Sequence, residues 1–213
     1  MLNVAVLVSG GGTNLQAIID AQAKGIITDA RVGLVISNVA GAYALERAKN
    51  AGIKTLTICK KDFENASAWE KEIADQLVKH RVDLVVLAGF MSVLSADFVS
   101  KFPNKIINVH PSLIPSFCGE GMYGLHVHEA ALAKGVKVTG ATVHYVNEVV
   151  DGGEIIAQKA VEVLRGDTPE TLQKRVMEKA EWVILPRAIQ VIAEDAALSA
   201  AITGTTCMRR VKD

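Results

Sequence analysis

Residues 2–14 read LNVAVLVSGGGTN, and this stretch decides the fold class. Leu2 to Val8 is a nearly unbroken apolar run, which is typical of a strand buried on both faces. Three glycines follow, and from Leu15 onward apolar residues recur at helical spacing. The stretch predicts a buried strand, a glycine loop and a helix, in that order.

The same alternation continues through the first half of the chain. Further strands are predicted at 32–36, 54–58, 84–88 and 105–109, and helices at 43–51, 67–80 and 95–102. Strands that alternate with helices form a parallel sheet with right-handed crossovers.

The second half has a different pattern. Strands at 138–146 and 154–163 are joined by the turn Asp151-Gly152-Gly153, which predicts antiparallel pairing. A short helix is expected at 125–133. Thr168 and Pro169 start a long helix that Pro186 either kinks or ends.

We therefore predict an α/β fold with a Rossmann-like, mostly parallel twisted sheet, an antiparallel C-terminal edge and helices on both faces. Residues 1–213 are expected to form a single domain. Residues 198–213 are ambiguous, and a short hairpin around Gly204 followed by a basic tail is one interpretation.

The charge balance excludes several classes of function. Lysine plus arginine and aspartate plus glutamate number 23 each, so no global field attracts nucleic acid or an anionic membrane. The first apolar run is too short for a transmembrane helix and lacks the basic start of a signal peptide. We expect a soluble cytoplasmic protein that binds neither nucleic acid nor a membrane.

The glycine loop is a candidate phosphate site. A helix N-terminus offers backbone N–H groups and a positive dipole end, and Thr13 and Asn14 add side-chain donors. No P-loop lysine follows, Leu15 stands where a dinucleotide fingerprint has glycine, and Ser37-Asn38 supplies no carboxylate for a ribose. The loop favours a monophosphate over NAD, while a turn needed only for geometry is the alternative.

Asn108 and His110 form a candidate reaction centre. Residues two apart on a strand point to the same face, and Pro111 ends the strand there. Asp151 is either only a turn-forming residue at the start of Asp151-Gly152-Gly153, or it lies beside His110, where a carboxylate favours the imidazolium. In the second case Asn108 and His110 stabilise an oxyanion formed when a substrate amine or water attacks a carbonyl.

Six motifs in one unbroken order resemble the phosphoribosylglycinamide formyltransferases. They are VSGGGTNLQAII (8–19), SN (37–38), LAGFM (87–91), NVHPSLIP (108–115), GATVH (140–144) and DGG (151–153). The fourth and sixth motifs are shared by other folate-dependent formyltransferases and hydrolases. The resemblance implies that a formyl group passes from 10-formyltetrahydrofolate to the amino group of glycinamide ribonucleotide, without a metal ion.

The resemblance also implies roles for individual residues. The ribonucleotide is held by Gly12, Thr13, Asn14, Gly89, Pro111 and, at its ribose, Glu181, with Glu178 as the rival register. The folate is held by Met91, Ser92, Val93, Leu94, Asn108, Asn147, Glu148, Val149, Val150 and Asp151. The catalytic group is Asn108, His110 and Asp151. Residues 1–104 are the ribonucleotide half, 105–192 are the folate and catalytic half, and 193–213 are a tail.

The chain departs from the family pattern in three places. Ala66 stands where a basic residue often lies near the folate tail, and Lys60 or Lys61 is a possible substitute. The loop 116–123 is longer than in shorter members. The long helix carries one extra residue within 177–182.

Other interpretations stay open at this point. A formyltetrahydrofolate hydrolase shares the catalytic residues, and a non-catalytic nucleotide or folate binder shares the sheet. His126, His128 and Glu129 suggest a metal cluster, but residues two apart on a helix do not share a face. His144 is interpreted as a hydrogen-bonded supporting histidine. The protein is expected to be a monomer or a homodimer.

Overall fold

The structure, a computed structural model, describes the backbone of residues 1–209 and the side chains of residues 1–201. The strands are β1 (Leu2–Val8), β2 (Ala30–Ser37), β3 (Lys54–Thr57), β4 (Leu84–Leu87), β5 (Ile106–His110), β6 (Val138–Tyr145) and β7 (Ile155–Glu162). The helices are α1 (Thr13–Ala23), α2 (Tyr43–Asn50), α3 (Ala66–Lys79), α4 (Ala96–Ser100), α5 (Leu125–Lys134), α6 (Pro169–Val176) and α7 (Trp182–Arg209).

All seven strands form one sheet in the order β3-β2-β1-β4-β5-β6-β7. Neighbours from β3 to β5 are parallel, and β6 and β7 add an antiparallel edge. The predicted α/β fold class is confirmed. The chain leaves β1 toward β2 and later returns to β4 on the other side of β1. Ligands of open α/β sheets bind at such a switch point, outside the carboxyl ends of the strands.

Helices cover both faces of the sheet, as the doubly apolar strands require. In β1, Val4, Val6 and Val8 belong to one apolar core, which also contains residues of α1, α2, α5, α6 and α7. Ala5 and Leu7 belong to a second core with residues of α3 and α4. Ser95 accepts the N–H of Phe98 and caps α4, as its position predicts. These two cores hold the carboxyl ends of the strands in place, and the loops that follow these ends carry the candidate site residues.

The C-terminal region differs from the prediction. The long helix does not end at Pro186, and the hairpin around Gly204 is wrong, because α7 continues from Trp182 to Arg209. The alanine-rich run at 196–201 has high helix propensity, which outweighs the turn signal of the glycine. The rest of the predicted basic tail, 210–213, lies outside the described residues. Within the described part, no helix has both the length and the apolar character that a membrane crossing requires.

Candidate active site

The polar residues singled out by the sequence gather at the carboxyl edge of the sheet. The glycine loop follows β1, Gly89 follows β4, and Pro111 follows β5, so the three meet around the switch point between β1 and β4. The Ser9 N–H donates to the carbonyl of Gly89 at 3.2 Å and closes this junction.

Asn108 and His110 lie on one face of β5, as their spacing predicts, and β6 completes the group. Asn108 pairs with His144 across the antiparallel ladder. The distance from Asn108 Nδ2 to His144 Nε2 is 3.2 Å, and His144 Nδ1 lies 2.8 Å from the carbonyl of Tyr145. Because a carbonyl only accepts, the Nδ1 of His144 carries a proton, and its Nε2 faces both Asn108 and Asp151.

Asp151 lies between the two histidines. Its Oδ2 is 3.4 Å from His110 Nδ1, and its Oδ1 is 3.6 Å from His144 Nε2. The N–H of Gly119 donates to Oδ2 at 2.9 Å. Burial opposes the charge of this carboxylate, but the hydrogen bonds of His144 and Gly119 and the nearby imidazoles lower the pKa of Asp151 below its usual range. The carboxylate is therefore ionised at neutral pH.

The loop after β5 fixes the other side of His110. The distance from His110 Nε2 to the carbonyl oxygen of Phe117 is 2.9 Å. Both ring nitrogens thus face oxygen acceptors, Phe117 on one side and Asp151 on the other. Nε2 carries a proton, because the carbonyl of Phe117 can only accept. These backbone contacts of Phe117 and Gly119 were not predicted, since they depend on how the loop folds back.

The position of Asp151 depends on an unusual turn. Asp151 has φ +55°, and a Cβ on Gly153 would collide with the backbone carbonyl of Tyr145. A bulge between Val143 and His144 shifts the register of β6 against β7 beside this turn. Bulges re-aim side chains next to active sites, and this one lies beside the histidine that contacts Asp151.

The glycine loop is held from behind by α2. Ala44 N–H donates to the carbonyl of Gly10 at 3.1 Å, and Arg47 Nε donates to the carbonyl of Gly11 at 2.8 Å. Gly12 has φ +71° and lies against Ala44. The loop carbonyls face α2, which leaves the N-terminal N–H groups of α1 for an anion. Arg47 was missed, because nothing in the sequence links α2 to this loop.

Glu181 lies next to the glycine loop. Asn14 Nδ2 donates to Glu181 Oε2 at 2.7 Å, whereas Glu178 is exposed near Lys174. Burial raises the pKa of Glu181 to about 7, and the hydrogen bond from Asn14 opposes this rise. Residues Met177–Glu181 form a π-helical turn between α6 and α7. Such a turn accommodates one extra residue, which matches the departure noted in the sequence.

The proposed folate residues lie on two loops. In the loop after β4, Met91 and Val93 are exposed, Leu94 packs on the core and Ser92 is half-buried. In the turn after β6, Glu148, Val149 and Val150 are exposed. Asn147 braces this turn, because it donates to the carbonyl of Gly152 and accepts the N–H of Val149. Four apolar side chains are thus open to a flat ring: Met91, Val93, Val149 and Val150.

His128 is a buried residue that the sequence did not place near the reaction centre. Neither ring nitrogen has a hydrogen-bond partner among the described residues. Burial and the neighbouring His110 lower the pKa of His128 to about 4, so this imidazole is neutral. The described residues contain no group of three or more histidine, cysteine, aspartate or glutamate side chains that could hold a metal ion.

A cavity of about 360 Å³ lies away from the group of Asn108, His110 and Asp151. It separates α1 from α7 and is lined by Gln16, Arg47 and Trp182 among others. Thr13 connects it to the glycine loop. Asn108, His110 and Asp151 do not line this cavity.

Comparison with known proteins identifies the family of this chain. The family described as formyl transferase matches residues 2–189. The phosphoribosylglycinamide formyltransferase of Haemophilus influenzae is 43% identical over 91% of this chain and 88% of that protein. A glycinamide ribonucleotide transformylase structure from Symbiobacterium toebii superimposes with a TM-score of 0.85 at 45% identity, covering 92% of this chain and 89% of that chain.

Several similar proteins are much longer than this chain. The trifunctional purine biosynthetic protein adenosine-3 of Bos taurus is 48% identical over 91% of this chain, which covers 18% of that protein. The chain spans between 14% and 19% of the length of such trifunctional relatives. The family match over residues 2–189, together with the 43% identity to a relative covered over 88% of its length, shows that the chain belongs to the formyl transferase family.

Proposed function

We propose that this protein transfers a formyl group from 10-formyltetrahydrofolate to the amino group of glycinamide ribonucleotide in purine biosynthesis. The observation that carries the proposal is the position of Asp151 between His110 and His144, with Asn108 bonded to the same His144. The names of relatives of similar length support the choice of substrate.

The catalytic residues act on the oxygen and the proton of the transfer. The amine nitrogen forms a bond to the formyl carbon, and the bond from that carbon to N10 breaks. Asn108 and His110 donate hydrogen bonds to the oxygen that gains charge, and this oxygen replaces the carbonyl of Phe117 as the acceptor of His110 Nε2. Loss of one such donor costs about 3 kcal/mol of transition-state stabilisation. Asp151 keeps His110 oriented and assists passage of the amine proton to N10.

The two substrates are assigned to two neighbouring regions at the carboxyl ends of the strands. Gly12, Thr13 and Asn14 hold the phosphate at the N-terminus of α1, and Glu181 accepts from the ribose hydroxyls. Gly89 and Pro111 line the sugar and the glycinamide. The folate ring lies against segments 91–94 and 147–151. Most of its contacts are with the backbone of these segments, and their exposed apolar side chains lie beside it. Lys60, whose Nζ lies 5.8 Å from the ring centroid of Trp69, is one candidate for the folate tail.

The organisation of the protein is part of the same proposal. Residues 1–213 act as one domain, in which 1–104 carry most of the ribonucleotide site and 105–192 carry the catalytic group and part of the folate site. Residues 193–209 continue α7 and do not form a separate tail. We propose a cytoplasmic monomer or homodimer that acts on these two small molecules.

A coupled assay tests the proposal. The protein is incubated with both substrates, and formylated ribonucleotide and free formate are measured separately. Formylated product supports the proposal. Formate released without the ribonucleotide points to a hydrolase, and turnover that Asn108→Ala leaves unchanged contradicts the proposed mechanism.

A further inference from the structure

A chain of polar contacts connects the ends of three strands at the ligand edge. Ser9 Oγ donates to Asn38 Oδ1 at 2.7 Å and accepts the N–H of Met91 at 2.8 Å. Asn38 Nδ2 donates to Ser92 Oγ at 2.9 Å. We call these three contacts among Ser9, Asn38, Met91 and Ser92 the polar bridge.

The polar bridge joins the two loops that carry the proposed ligands. Ser9 immediately precedes the glycine loop, and Met91 and Ser92 begin the 91–94 segment of the folate loop. Asn38 belongs to neither loop, since it follows β2. Its amide oxygen bonds to Ser9 beside the glycine loop, and its amide nitrogen bonds to Ser92 in the folate loop. Movement of one loop therefore changes the hydrogen bonding of the other.

The contacts of Asn38 differ from those expected of a nucleotide-binding residue. In a dinucleotide fold, an acidic side chain at the end of the second strand takes the ribose. Here the amide oxygen and the amide nitrogen are both engaged with protein side chains, Ser9 and Ser92. The side chain is half-buried and held between the loops, which favours a positioning role over direct ligand contact.

We propose that Asn38 couples the ribonucleotide and folate sites, so that occupation of one raises affinity for the other; this inference rests on the proposed function. Phosphate bound at the glycine loop fixes Ser9, and the polar bridge then fixes the backbone at Met91 and Ser92. The second ligand meets a loop that is already ordered and loses less conformational entropy on binding. The coupling is reciprocal by linkage.

The test compares three variants in ligand-binding calorimetry. The probe is tetrahydrofolate, which carries no formyl group. It is titrated into the protein with and without glycinamide ribonucleotide. In the wild type we expect the ribonucleotide to tighten folate binding about tenfold, a common size for coupling. Asn38→Ala is expected to reduce this ratio to about one, whereas Asn38→Asp retains coupling because both serine hydroxyls can donate to the carboxylate.

Ser37→Ala is the matched control. Ser37 ends the same strand and donates to the carbonyl of Val39 at 2.8 Å, but it has no bond to either loop. It should keep the wild-type ratio. If Asn38→Ala does not fold, Ser92→Ala removes the same contact from the other side and should also abolish coupling.

The outcomes separate the two proposals. Absent turnover in the wild type overturns the proposed function. Turnover with no coupling in the wild type, or with equal coupling in Asn38→Ala and Ser37→Ala, overturns only the role of Asn38. A kcat that falls in Asn38→Ala while both affinities and their ratio stay constant would also contradict it.

Discussion

Asn14 Nδ2 donates to Glu181 Oε2 at 2.7 Å, and this buried contact joins residues separated by 167 positions in the chain. It brings the π-helical turn before α7 against the first turn of α1. Glu181 is only 6% exposed, so its ionised carboxylate is kept from water, and this costs folding free energy.

Replacement of Glu181 by glutamine should remove a pH dependence of stability. The folded state holds the Glu181 proton up to about pH 7, while the unfolded chain releases it near the ordinary value of 4.5. Stability from this group is therefore complete below pH 4.5 and is lost as pH rises through about 7. The full loss corresponds to about 3 kcal/mol. Chemical denaturation between pH 4 and 8 measures it.

The control for this experiment is Glu178→Gln, which alters an exposed carboxylate three residues away. It should show the same pH dependence as the wild type. An identical slope in Glu181→Gln and the wild type would show that Glu181 does not titrate in this range.

Gly12→Ala should destabilise the protein, and Gly11→Ala should not. A Cβ at Gly12 would lie 2.6 Å from Ala44 Cβ in a backbone conformation with φ +71°, whereas a Cβ at Gly11 meets nothing within 4 Å. We expect Gly12→Ala to lower the unfolding free energy by about 1–3 kcal/mol. Thermal unfolding of the two variants gives the comparison, and equal melting temperatures would contradict it.

Asp151→Asn should reduce kcat at least about a hundredfold, because the isosteric amide removes the negative charge beside His110 and cannot take up a proton. The KM for the ribonucleotide should stay within about twofold, since Asp151 lies away from the glycine loop. Steady-state kinetics with both substrates measures this. Asp75→Asn, which removes an exposed ion pair with Lys71, should behave like the wild type.

His144→Ala should reduce kcat by about tenfold, because Asn108 loses the imidazole that contacts and orients its amide. If His144 acts through Asn108, the double variant with Asn108→Ala should be no slower than Asn108→Ala alone. His80→Ala removes an imidazole that contacts the carbonyl of Gln76 in α3, and it serves as control. Fully additive losses in the double variant would assign His144 an independent role.

The sequence predicted those parts of the fold and site that follow from local periodicity. The two-residue spacing of Asn108 and His110 fixed their common face, and alternating strands and helices fixed the parallel sheet. Thr168 and Pro169 predicted the start of α6, and Thr168 does form a capping box there with Thr171.

The remaining contacts depend on segments that meet only after folding. Arg47 reaches Gly11 from another helix, and Asn38 bridges two loops, so neither position carries a local signal. The contact of Phe117 with His110 depends on the path of the loop after β5, which periodicity does not determine. Helix propensity in 196–201 exceeded the turn signal of Gly204, and the hairpin interpretation failed for that reason.

The π-helical turn has a consequence for how this chain tolerates changes in length. One added residue in a regular helix rotates every later side chain by about 100°, which would turn an apolar face away from the sheet. Here the addition is confined to Met177–Glu181, and Ile184, Leu185 and Ala188 remain buried in the core. A π-helical turn at this place therefore takes up one extra residue between the Thr168 cap and Glu181 while the apolar face of α7 stays on the sheet.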